Sequence, residues 1–104
     1  MTKYLLLGSG GSMPETEAEG AAMMAAWGVW YTGLGAALVD PGNPIAMVKG
    51  IASDGTVSDG SVGAIANGYI IIQADSLDAA VKMVQACPLL QGGGQISVYQ
   101  TFEM

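Results

Sequence analysis

Histidine and arginine are both absent from this chain, and each absence closes off a class of chemistry. Without histidine there is no imidazole to act as general base or as the commonest metal ligand, so Ser–His and Cys–His nucleophile arrangements are excluded. Without arginine there is no guanidinium fork to clamp a carboxylate or a phosphate through two parallel hydrogen bonds. The single cysteine, Cys87, can form no intrachain disulfide, which points to a reducing, cytoplasmic setting. Positive charge is scarce: 3 lysines stand against 9 acidic residues, for a formal net charge of -6. Lys3, Lys49 and Lys82 are scattered, whereas nucleic acid and anionic membrane surfaces require clustered cations, so neither is expected as a partner. The acidic residues are spread singly, which leaves no ligand set for a metal, and no cofactor is expected. Residues 4–7 are too short for the apolar region of a signal sequence, and no basic segment precedes them.

Residues 20–39 carry no charge, a run long enough on paper to span a bilayer. It is mostly Ala and Gly, its aromatics Trp27, Trp30 and Tyr31 lie mid-segment, and no Lys or Arg flanks it. Those features favour a buried helix over a spanning one.

What is present reads as one α+β domain over residues 1–104. Residues 3–7 form a first strand and residues 8–12 a Gly- and Ser-rich connector, with Pro14 suited to a helix start. Glu15, Glu17 and Glu19 place negative charge where the helix dipole favours it. Met23, Trp27, Trp30, Tyr31, Leu34 and Leu38 then recur at helical spacing. Gly28, Gly33 and Gly35 each cost that helix about 1 kcal/mol relative to Ala, which implies close backbone contact or an earlier helix end. Asp40-Pro41-Gly42-Asn43-Pro44 is a stop and turn. Residues 45–52 read as a second strand, turning at Asp54-Gly55 into a short return over 56–58. A Gly- and Ser-rich loop leads to a strand over 69–73. Asp75 or Ser76 caps a second helix whose apolar face is Leu77, Ala80, Val81, Val84 and Cys87, with Pro88 as its end. A run of three glycines precedes a last strand over 95–102.

The order is β-α-β-β-α-β, the ferredoxin-like plan, with both helices on one face of an antiparallel sheet. Alternation puts Leu5 and Leu7 opposite Tyr4 and Leu6, and Tyr69 and Ile71 opposite Ile70 and Ile72. Both sheet faces are therefore apolar while only one has helices to cover it, so a symmetric homodimer packing sheet against sheet is expected.

The opening MTKYLLLGSG, a Trp-bearing helix ending in GAALVDPGNP, GTVSDG, the block GYIIIQADSLDAAVKMVQACP and the closing QISVYQTFEM together resemble the YCII-related family with its DGPF-type signature. The likeness is to the members that carry DPGNP and GYxII-ADS together. It implies a dimeric ferredoxin-like α+β barrel with a cleft between helix and sheet, in a family suspected of enzymatic activity. Asp59-Gly60 matches the first half of the signature. Ser61 and Val62 stand where the family has Pro and an aromatic, and Gly63-Ala64-Ile65-Ala66 replaces its acidic and basic residues. The His–Asp dyad suspected in some relatives has no counterpart here.

Two carboxylates are candidate catalytic groups, Asp59 at the Gly-rich loop and Asp40 at the end of the first helix. A carboxylate in a partly apolar cleft can serve as general base; an Asp before Gly or Pro-Gly is also a turn former that accepts from nearby backbone. Trp27 and Trp30, with Tyr31, either wall a ligand pocket by stacking or fill the core. Tyr69 is either an interface residue or a hydroxyl donor to a ligand. The run over 8–12 is no phosphate loop: Met13 stands where a dinucleotide fingerprint needs Gly, and no Gly-Lys-Ser/Thr follows. Cys87 at a helix C-terminus gains nothing from the dipole and reads as an inert core thiol. Ser76 has no base to activate it. Three functions fit: a homodimer binding a small neutral or apolar molecule, an enzyme with an Asp base on the same site, or a protein-interaction module.

Overall fold

The computed structural model describes residues 1–63 and 65–103; Ala64, within the departure from the family signature, and Met104, the last residue of the closing block, lie outside the described residues. In chain order the elements are β1 (Thr2–Ser9), α1 (Glu17–Leu34), a 3-10 turn over Gly35–Ala37, β2 (Leu38–Asp40), β3 (Lys49–Ile51), β4 (Val57–Asp59), β5 (Gly68–Ala74), α2 (Leu77–Val84), α3 (Pro88–Gln91) and β6 (Gln95–Gln100). The result is a mixed α+β structure. Four strands make one antiparallel sheet in the order β2-β5-β1-β6, while β3 and β4 form a separate two-stranded arm.

Alternation along β1 and β5 decides where the core lies. Tyr4 pairs with Ile72, and Leu6 with Ile70; Tyr4, Leu6, Ile72 and Ala74 are buried together with Trp30 of α1, Ala80 and Val84 of α2, and Cys87. Both helices thus bury their apolar residues against the same sheet face. Trp30 ties them to each other: its Nε1–H donates to the Met83 carbonyl at 3.0 Å, so the indole is buried without leaving a polar atom unpaired. The opposite sheet face carries the cross-strand rows Tyr99–Leu5–Ile71 and Ser97–Leu7–Tyr69, and among the described residues no helix covers it.

The two longer helices, α1 and α2, start where a side-chain cap dictates. The Thr16 side chain accepts from the Glu19 N–H, with Glu17 and Glu19 in the first turn. Between the two caps expected for α2, Ser76 does the work, accepting from the Ala79 N–H at 3.1 Å.

Several boundaries differ from the sequence expectation. The stripe through Leu38 does not extend α1, because Gly35 (φ +54) ends the helix at Leu34 and donates its N–H to Tyr31. Leu38 then enters the sheet as β2, pairing with Ile72. Consequently the strand expected over 45–52 is not the sheet's second strand: Pro41 and Pro44 divert the chain, and only Lys49–Ile51 is extended there, as half of the arm. Gly28, Gly33 and Gly35 face open space with nothing within 4 Å of an added Cβ, so none marks a close contact, and of the three only Gly35 ends the helix. Pro88 does not simply stop α2, which ends at Val84; it opens the short helix α3, where its missing N–H costs nothing. Leu77 and Val81 are exposed at 42% and 38%, flanking a shallow groove beside β6. Among the described residues no helix is long and apolar enough to cross a membrane.

Candidate functional site

Between α1 and the helix-covered face of the sheet opens a cleft of about 290 Å³. Its floor is Leu6, Ile70 and Ile96 from three neighbouring strands; α1 supplies Trp27 and Tyr31, and Leu89 of α3 closes one end. The rim is the turn over 41–44 together with Asn67 and Gly68.

Local physics positions each part. Trp27 and Tyr31 stand one helical turn apart, so both project from one side of α1, and their rings pack with centroids 5.6 Å apart at 40°. Trp30 completes this aromatic cluster at 5.7 Å from Trp27 in an edge-to-face arrangement. The rim turn is pinned twice. The Gly42 N–H donates to the Asp40 carboxylate (Oδ1) at 2.8 Å, and the Tyr69 N–H donates to the Asn43 carbonyl at 3.3 Å. Gly42 has φ +69, and a Cβ there would sit 1.7 Å from the Tyr69 carbonyl oxygen. Only glycine lets the turn cross β5 this closely. On the other side the Asn67 N–H donates to Gly8 O at 2.8 Å and its Nδ2 to Gly10 O at 3.0 Å, which fastens the rim to β1. Gly8 leaves room for Leu89, whose Cδ2 lies 2.7 Å from where a Gly8 Cβ would be.

The structure separates the residues singled out in the sequence. Trp27 lines the cleft, whereas Trp30 is a core residue 7% exposed. Tyr69 borders the cleft, although alternation along β5 aims its ring at the uncovered sheet face beside Leu7. Asp40 adjoins the rim as a turn former, its carboxylate holding Gly42. Asp59 is elsewhere, on the arm, 91% exposed and ion-paired with Lys49. The two carboxylates are therefore not assembled into one site. Asn43, Asn67 and Leu89 line the cleft without having stood out in sequence. Asn43 sat within a turn motif and Asn67 at the end of a Gly-rich loop, and nothing short of the β5 register brings them to one rim.

Electrostatically the cleft is neutral, with no Asp, Glu or Lys among its lining residues. Burial raises the Tyr31 phenol above its ordinary 10.0, and the nearby Cys87 adds to this. At neutral pH Tyr31 is thus an uncharged hydroxyl, able to donate or accept. Burial likewise raises Cys87 above 9.0, against a weaker opposing hydrogen bond from the Leu89 backbone, so it stays a thiol and a poor nucleophile. Among the described residues no group of three or more Cys, Asp or Glu is placed to hold a metal. The arrangement suits binding through apolar contact, aromatic stacking and a few neutral hydrogen bonds.

No protein-family model matches the chain, and no curated protein matches it.

Proposed function

We propose that this protein is a homodimer that binds a small, neutral, largely apolar molecule in the cleft between α1 and the sheet. The observation that carries this reading is the cleft's lining: Trp27, Tyr31, Leu6, Ile70, Leu89 and Ile96 around about 290 Å³, with amides of Asn43 and Asn67 at the mouth and no charge. Ligand sites are typically apolar cavities of this kind, from about 300 Å³ upward, with a few placed polar groups that fix orientation. An anion would be repelled by a chain of net charge -6 that brings no cation to the cleft.

The scaffold reading is a ferredoxin-like dimeric α+β barrel of the YCII-related kind. The sheet order β2-β5-β1-β6 supports it: with the β3–β4 arm set aside as an insertion, the chain runs β-α-β-β-α and returns to a strand beside the first. The uncovered rows Tyr99–Leu5–Ile71 and Ser97–Leu7–Tyr69 supply the apolar face on which a second sheet would pack.

The test uses 1-aminoanthracene, a neutral fluorophore whose emission rises in apolar surroundings. One molecule per protomer is expected to bind saturably and to quench tryptophan emission through Trp27. Ile96→Trp, which fills the floor of the cleft, abolishes binding, and Tyr31→Phe combined with Asn67→Ala weakens it about tenfold, the loss of one or two neutral hydrogen bonds. No saturable binding by the wild type, or equal binding by the Ile96→Trp variant, overturns the cleft as the site.

A further inference from the structure

The chain's two asparagines, Asn43 and Asn67, both stand on the rim of the cleft, and the residue that follows each gives it a different chemical fate. Asparagine is among the labile side chains, because the backbone nitrogen of the next residue can attack its Cγ and close a five-membered imide. Asn43 is followed by Pro44, whose nitrogen carries no hydrogen to give up, so that route is closed. Asn67 is followed by Gly68, whose nitrogen bears a hydrogen and whose missing Cβ leaves the approach to Cγ unobstructed.

The fold itself makes no demand for glycine at position 68. Its φ is not positive, and an added Cβ would lie 3.7 Å from the Asn43 carbonyl oxygen and 3.8 Å from Pro44 Cα, which is ordinary contact. Gly42, across the same rim, is the opposite case, required by both its φ and its crossing of β5. Asn67 is also free to react. It is exposed, lies just before β5, and its amide is held by one exposed bond, from Nδ2 to Gly10 O at 3.0 Å. Exposed bonds of this kind at the edge of an element open locally at small cost.

We propose that Asn67 is a self-modifying residue: it deamidates spontaneously in the folded protein, and the carboxylate that results releases the rim of the cleft from β1. In the first step the Gly68 nitrogen bonds to Asn67 Cγ and the Cγ–Nδ2 bond breaks, with the proton leaving on nitrogen as ammonia. Water then opens the imide at either carbonyl. Opening at Cγ gives a side-chain carboxylate on an unaltered main chain; opening at the main-chain carbonyl reroutes the chain through Cβ. No oxidant or reductant takes part, and one amide and one water become one carboxylate and one ammonia. Either product replaces the Nδ2–H donor, so an acceptor now faces the Gly10 carbonyl that it used to serve. The rerouted product also displaces the Asn67 carbonyl that accepts from the Ile45 N–H at 2.9 Å. A negative charge then stands at the mouth of a cleft that has no charged lining residue.

The wild type is held at pH 8.5 and 37 °C, folded and in concentrated urea, beside folded Gly68→Ala. Trypsin cuts after Lys49 and Lys82, so Asn67 and Asn43 fall in different peptides. Ammonia loss and hydrolysis raise the mass of peptide 50–82 by one unit, whereas isomerisation at Asp54-Gly55 or Asp59-Gly60 in that peptide leaves it unchanged. Folded wild type is expected to convert at position 67 within tenfold of the rate in urea, faster at pH 8.5 than at pH 7.5, with Asn43 intact and Gly68→Ala at least tenfold slower. Conversion of the folded protein more than tenfold slower than in urea overturns the proposal, and this comparison needs no variant to fold. For the released rim, hydrogen exchange at the Ile45 and Tyr69 amides is expected to be at least tenfold faster in the aged protein and in Asn67→Asp than in fresh wild type; equal rates overturn the release. Neither readout uses a ligand, so a cleft that failed to bind 1-aminoanthracene would count against the binding reading alone.

Discussion

Gly42→Ala is the substitution on which the geometry of the cleft rim can be judged. At φ +69 an alanine pays about 1–2 kcal/mol for left-handed backbone. Its Cβ would also stand 1.7 Å from the Tyr69 carbonyl oxygen, roughly 1.5 Å inside an ordinary C···O approach of about 3.3 Å. The obstacle is the backbone of β5, a strand paired with β1 along its whole length, so the turn must move and not the strand. Moving it breaks the bond from the Gly42 N–H to Asp40 and the bond from the Tyr69 N–H to Asn43, each worth about 1 kcal/mol net. The expected loss is therefore about 3–4 kcal/mol, a large part of the ~5–15 kcal/mol typical of a domain.

Urea unfolding followed by circular dichroism reads that loss, and 1-aminoanthracene titration of the folded fraction reads the displaced rim as at least tenfold weaker binding. Gly28→Ala serves as the control. Gly28 lies inside α1 with nothing within 4 Å of an added Cβ, so the same chemical change should stabilise by about 1 kcal/mol. If Gly42→Ala lost less than 1 kcal/mol and bound the probe normally, the close crossing of β5 by the turn would be wrong.

Two further outcomes follow from the buried face of the sheet. Trp30→Phe keeps most of the aromatic packing but removes the indole donor that reaches the Met83 carbonyl from α1; a loss of about 1–3 kcal/mol is expected in urea unfolding, and wild-type stability would refute the α1–α2 tie. Burial, chiefly, raises Cys87 above 9.0, and burial also raises Tyr31 above 10.0, so above those values the folded chain holds protons that the unfolded chain has released. Stability is then fully present below about pH 9 and falls as pH rises through the folded-state values; Cys87→Ala should flatten the thiol's share of that decline between pH 8.5 and 10, and a native Cys87 that reacts freely with a thiol reagent at pH 8 would contradict its burial.

The inner strands and the second helix's cap were legible because they depend on local rules. The alternation in β1 and β5 forces one face of each inward, and Ser76 sits where an N-cap must, whereas the first helix, read as starting at Pro14, begins at Glu17 after its Thr16 cap. The element after α1 was not legible, for a physical reason. Leu34 and Leu38 keep helical spacing across Gly35, so the apolar period alone cannot distinguish one more helical turn from a break. What decides is the pairing of Leu38 with Ile72, a contact across more than thirty residues that no window of sequence contains. Once β2 takes that place in the sheet, the apolar segment over 45–52 has no strand left to pair with on β5, and it is expelled into the arm.

The site was legible in kind but not in membership, and the two tryptophans show why. Trp27 and Trp30 lie on one stripe of α1 at adjacent turns, with equal claims on a pocket from sequence. Their fates diverge because α2 ends beside one and not the other. The Met83 carbonyl of α2 comes within reach of the Trp30 indole and seals it into the core, while the space beside Trp27, rimmed by the turn over 41–44 and closed at one end by Leu89, is left open as the cleft. Asp40 and Asp59 divide in the same way. One is turned inward by the need of a glycine N–H for an acceptor, and the other is carried out on the arm to neutralise Lys49. A residue's chemistry can thus be read from its type, but whether that chemistry faces a cleft is settled by which distant backbone group takes up its polar atoms first, and in this chain the cleft is what the caps, turns and indole bonds leave over.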